Sequence, residues 1–222
     1  MKDALPRAAR LFLLLAAGAL AATAAREAVD ALAGSPDVPV LWWSARALGL
    51  LAYVALALAT LFGVFVSSRG AGGLLDKGAV LRLHQRWALV AVVATALHVL
   101  AIVADPVAGV SAFAALIPFA SARLTGPVAL GTLAGLGFAV ILATTVLAKR
   151  LPRTAWRAVH ASAFGVFVLA LAHGIAAGTD TAATPVSALY LVTAATLVGA
   201  VVQRVLSTRM GAPARRARGE RS

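Results

Sequence analysis

The chain has 222 residues, of which 61% are hydrophobic and 13% charged, with a net charge of +12. Soluble domains carry roughly 25% charged residues, so a globule this poor in polar groups cannot cover itself in water, and a chain this apolar is not disordered either. Lipid is left as the main solvent, and the absence of cysteine excludes disulfides, iron–sulfur clusters and thiolate zinc sites.

A bilayer core of about 30 Å is crossed by roughly 20 apolar residues in a helix. Six such runs lie near residues 9–32, 45–66, 86–104, 128–148, 156–177 and 186–206. All nine prolines fall outside the proposed helix interiors, and Pro127 and Pro185 stand just ahead of new helices, where a missing N–H costs least. Trp42, Trp43, Trp87 and Trp156 lie near the ends of runs, as in an aromatic belt. The first run is the weakest. Its apolar part, Leu11 to Ala25, is short and is followed by Arg26, Glu27 and Asp30. It has the makings of a cleaved signal peptide, but the expectation is an uncleaved helix.

Between the second and third runs lies a basic loop with Arg69, Lys77, Arg82 and Arg86. With the N-terminus, the segment Lys149 to Arg157 and the C-terminal tail, that side holds 17 of the 20 lysines and arginines. The other side holds Arg26, Arg46 and Arg123 beside Glu27, Asp30, Asp37, Asp105 and Asp180. By the positive-inside rule both termini are cytoplasmic, and the basic charge reads as a topology signal with attraction to anionic lipid rather than as a nucleic-acid site. The expected architecture is therefore an all-α membrane protein. It is a six-transmembrane-helix bundle over residues 1–206, followed by a basic, disordered cytoplasmic tail over 207–222. The longest loop, Asp105 to Gly126, is external and apolar enough for a short interfacial helix. Gly131 and Gly135 make a small-xxx-small pattern, read as close helix packing. No phosphate loop is present.

The four histidines all lie in or at the ends of apolar runs: His84 and His98 in the third, His160 and His173 in the fifth. Ionisable groups inside a membrane are expensive and mark function by default. Each pair on one helix is separated by about 20 Å, too far to share a metal. The third and fifth runs are parallel, however, so His84 and His160 share a cytoplasmic-side depth, and His98 and His173 an outer depth. Two imidazoles facing each other across a bundle suit bis-axial haem ligation. Zinc would need three or four ligands, and helices three to six carry no interior acid to complete a set. One point resists an ideal helix. At about 100° per residue, His84 and His98 share a face but His160 and His173 do not. The fifth helix must bend, and Gly165 between them could permit it.

At these residues the chain resembles the ferric reductase-like transmembrane family, the membrane haem domain of ferric reductases and NADPH oxidases. The likeness rests on LHQRWALVAVVATALHVLAI and AWRAVHASAFGVFVLALAHGIAAGTDT, with thirteen and twelve residues between the paired histidines. It covers about residues 45–206 and is nearest to stand-alone members of actinobacterial type, which share Pro118-Phe119 and Gly178-Thr179-Asp180.

The resemblance implies two b-type haems, the inner held by His84 and His160 and the outer by His98 and His173. It also implies electron transfer across a bacterial plasma membrane. It makes Arg157 and Arg86, and Arg82 after them, candidate propionate partners of the inner haem, and Arg46 or Arg123 of the outer. The chain has no flavin and nicotinamide domain after its last run, so a separate flavoprotein or membrane quinol would supply electrons to an unidentified external acceptor. Two rival expectations are a haem-binding anchor subunit of a redox complex and a histidine-based metal or proton transporter. No side chain reads as a catalytic acid, base or nucleophile.

Overall fold

A computed structural model describes residues 40–67 and 76–219. The first apolar run lies outside the described residues. The remainder is helical, and no strand occurs among the described residues. The helices are α1 (Val40–Ser67), α2 (Lys77–Ala104), α3 (Ala112–Leu116), α4 (Thr125–Val146), α5 (Arg153–Ala161), α6 (Ala163–Ala177) and α7 (Thr184–Gly219), with a 3-10 turn at Ala148–Arg150. Among the described residues five stretches are long and apolar enough to cross a membrane: α1, α2, α4, the α5–α6 pair and Thr184–Leu206 of α7.

Local chemistry sets the boundaries. Asp76 caps α2, its carboxylate accepting the Ala79 N–H at 2.7 Å. At the other end Asp105 leaves the helix ahead of Pro106, and its Oδ1 accepts the Val107 N–H at 2.7 Å. Pro106 cannot continue the ladder, so the helix stops there. Ser111 caps the short helix α3 through the Ala114 N–H, inside the loop where such a helix was expected. In α7, Pro185 stands in the first turn. The helix runs on to Gly219, through residues 207–219, where the basic sequence predicts a disordered tail.

The helices pack as two close pairs, α1 on α2 and α4 on α6, with α7 against α1. One apolar cluster joins Tyr53, Val64, Phe167, Tyr190 and Leu197 of α1, α6 and α7. In it Tyr53 stacks on Phe167 and meets Tyr190 edge-on, and its hydroxyl is hydrogen-bonded to Thr193. A second cluster, rich in alanine, joins Ala55, Leu56, Ala91, Ala134, Ile141 and Val166 of α1, α2, α4 and α6. Small residues let helix backbones approach where lipid supplies no hydrophobic drive. Large apolar side chains remain outward, such as Leu89 at 65% and Leu191 at 71% exposure. That is the pattern of helices solvated by hydrocarbon rather than water.

The fifth apolar run is not one helix. It breaks at Ser162, whose N–H and hydroxyl both donate to the Val159 carbonyl, at 3.0 and 2.7 Å. This i−3 bond tightens the turn, and the helical phase is reset before α6 begins. The break falls at Ser162, three residues before Gly165. It is how His160, near the end of α5, and His173, in α6, escape the mismatch of an unbroken helix.

Candidate functional site

The four histidines meet as two pairs. The rings of His84 and His160 have centroids 5.9 Å apart at 69°, and those of His98 and His173 are 6.3 Å apart at 71°. Each pair joins α2 to the α5–α6 unit. These two units bring their backbones together at almost no point, although each packs closely on another helix. The imidazoles thus face each other across a gap bounded by the two helix pairs.

Three of the rings are held in one way. The Nδ1–H of His84 donates to the Ala59 carbonyl, that of His98 to Ala45 and that of His173 to Pro127, each at 2.8 Å. A carbonyl only accepts, so each of these rings carries its proton on Nδ1 and keeps the Nε2 lone pair available. Four residues after each acceptor stands a glycine: Gly63, Gly49 and Gly131. A Cβ on Gly131 would lie 2.7 Å from His173, one on Gly49 3.0 Å from His98, and one on Gly63 3.4 Å from His84. Carbonyl and glycine together form a notch into which an imidazole fits edge-on. Each hydrogen bond contributes about 1 kcal/mol net and fixes the ring's direction.

His160 is held otherwise. Its ring stacks on Trp156, with centroids 5.0 Å apart at 24°. Its Nδ1 and the Trp156 Nε1 are both buried without a hydrogen-bond partner among the described residues. By register, the matching notch on α4 would be the Ile141 carbonyl, fourteen residues after Pro127, with Thr145 in the glycine position. That carbonyl already accepts the hydroxyls of Thr145 at 2.7 Å and Thr144 at 3.1 Å.

Two imidazoles bound to opposite sides of one metal ion, by bonds of about 2 Å each, put their ring centres roughly 6 Å apart. Both pairs have that separation, and three of the four rings have a free nitrogen directed by a second-shell bond. In number and spacing the residues present fit two imidazole ligands on one metal ion at each level. Among the described residues no group of three or more histidine, cysteine, aspartate or glutamate side chains converges, so each level offers two protein ligands.

The arginines divide. Arg46 is engaged by Asp180, its Nε donating at 2.7 Å and its Nη2 to the other carboxylate oxygen. Arg123 donates to the Val107 carbonyl at 2.7 Å. Arg82 lies 3.8 Å from Asp76. Arg86 and Arg157 are exposed.

Sequence reasoning reached the histidines but missed Gly49, Gly63, Gly131 and Trp156. The sequence places Gly131 in helix packing, yet its neighbour is the His173 ring, whereas a Cβ on Gly135 would meet nothing within 4 Å among the described residues. Trp156 had been assigned to the membrane interface. A signal was available: Gly49 and Gly63 are fourteen residues apart, the same interval as His84 and His98.

A family model described as Domain of unknown function (DUF8596) matches residues 40–180. The chain belongs to the DUF8596 family. The matched span runs from the start of α1 to Asp180 and so includes all four histidines, the three notch glycines and Trp156, while α7 lies beyond it. No curated protein and no solved structure matches the chain.

Proposed function

We propose that this DUF8596 protein is a di-haem b-type cytochrome of a bacterial plasma membrane, carrying electrons between its two faces. The observation that carries the reading is the double imidazole pairing, at ring separations of 5.9 and 6.3 Å, with the Nδ1 edge of three rings tied to backbone. His84 and His160 hold the inner haem, and His98 and His173 the outer. A bound haem supplies one-electron chemistry at each level. The protein's part is ligation, orientation and insulation. The alanine-rich cluster around Ala55, Ala91 and Val166 keeps water from the space between the levels. The histidine levels are about 21 Å apart along the helices, since Ala45 and Ala59, the acceptors on α1, are fourteen residues apart.

The likeness to ferric reductase-like membrane domains supports the same reading. In it the first apolar run completes a six-helix bundle with both termini cytoplasmic. Electrons come from a separate flavoprotein or membrane quinol and leave to an external acceptor. Arg86 and Arg157, both exposed, suit propionates of the inner haem. Arg46 and Arg123 are already engaged elsewhere, which weakens their case at the outer one.

The test is a reduced-minus-oxidised visible spectrum of the purified full chain, with haem counted by pyridine haemochrome. Two six-coordinate b-type haems per chain are expected. A folded preparation from haem-replete cells that carries none would overturn the proposal and favour histidine-based transport.

A further inference from the structure

The two histidine pairs are not equivalent. At the outer level both rings sit in carbonyl–glycine notches, His98 on Ala45 and Gly49, His173 on Pro127 and Gly131. At the inner level only His84 does, on Ala59 and Gly63. The carbonyl that register would offer to His160 accepts threonine hydroxyls, and the His160 Nδ1 is buried with no partner among the described residues. What orients that ring is the face of Trp156. A stack fixes the plane of an imidazole. It neither selects the tautomer nor raises the basicity of the ligating nitrogen, as an Nδ1–H bond to a carbonyl does.

We infer that His160 is the exchangeable axial ligand of this protein and that Trp156 is the residue that positions it, so the inner iron is the one an exogenous small ligand can reach. The inference rests on the cytochrome reading above. Loss of a second-shell partner lowers metal affinity 10- to 100-fold, and the missing hydrogen bond at His160 is a built-in instance. The location is consistent, since His160 stands near the end of the short helix α5, next to the break at Ser162, rather than within a long helix. His173 lies within α6 and is pinned at both its carbonyl and its glycine.

The test uses full-length chains that each retain one haem: His98→Ala keeps the inner and His84→Ala the outer. Carbon monoxide is added to each in the reduced state, and the shift of the Soret band is followed. The inner-haem chain should take up carbon monoxide with at least tenfold higher affinity than the outer-haem chain. Trp156→Leu, which keeps bulk but removes the ring, should strengthen that uptake about tenfold further in the inner-haem chain. Trp156→Phe should restore the parent behaviour, and neither change should alter the outer-haem chain. Equal carbon monoxide affinity at the two levels would overturn the inference, as would an inner site indifferent to residue 156. If Trp156→Leu fails to fold, the comparison of the two single-haem parents still decides. A wild-type chain with no haem would sink the cytochrome reading itself, whereas two haems of equal reactivity would sink this inference alone.

Discussion

His173 is pressed against Gly131 so closely that the glycine has no room for a methyl group. That contact makes a graded experiment. Gly131→Ala places a Cβ 2.7 Å from the ring, Gly49→Ala places one 3.0 Å from His98, and Gly63→Ala places one 3.4 Å from His84. Overpacking of the first kind costs about 1–3 kcal/mol, or is relieved by displacing the ring. Gly131→Ala is therefore expected to lose outer haem, Gly49→Ala to lose some of it, and Gly63→Ala to keep the inner haem. Gly135→Ala, in open space, serves as the neutral control. The haem-to-protein ratio of each purified variant checks the order. For the ligands themselves, His98→Ala or His173→Ala is expected to leave one haem per chain, and full haem content in both would show the assignment to be wrong.

At the scale of elements, two devices make the site possible. The break at Ser162 separates α5 from α6 and lets both histidines of that unit face α2. The Arg46–Asp180 pair ties the beginning of α1 to the loop after α6, next to the Ala45 carbonyl that holds His98. A two-pronged arginine–carboxylate pair has strict geometry. Asp180→Asn is therefore expected to lower the thermal midpoint and to loosen the outer haem more than the inner, while Asp180→Glu retains more of both. Differential haem loss on heating, followed in the visible spectrum, distinguishes them.

Across the described residues alanine is the commonest buried residue, around a few large side chains such as Tyr53, Phe167 and Tyr190, while many large apolar side chains face outward. Leu89, Val140, Leu191 and Val198 are more than half exposed, as suits helices that lie against hydrocarbon. The proposed orientation follows from charge rather than packing, and the cysteine-free sequence gives it a direct test. In intact cells a membrane-impermeant maleimide is expected to label Ala122→Cys, in the loop before α4. Lys149→Cys, after α4, is expected to react only when the membrane is opened. The reverse labelling would invert the topology and exchange the inner and outer levels.

The amino-acid sequence by itself determined the helical class, the five stretches among the described residues that are able to cross a membrane, and the sorting of four histidines into two pairs. Hydrophobic run length and the expense of a buried imidazole are both local properties, legible residue by residue. Only the tertiary structure decided where the fifth run breaks: the sequence points to Gly165, whereas the interruption lies at Ser162, whose N–H and hydroxyl both turn back to the Val159 carbonyl. It alone showed the notches, since a glycine four residues after a carbonyl means nothing until an imidazole from another helix enters it. It also separated His160, stacked on Trp156, from the other three histidines, because hydrogen-bond partners come from neighbouring helices and not from the histidine's own sequence.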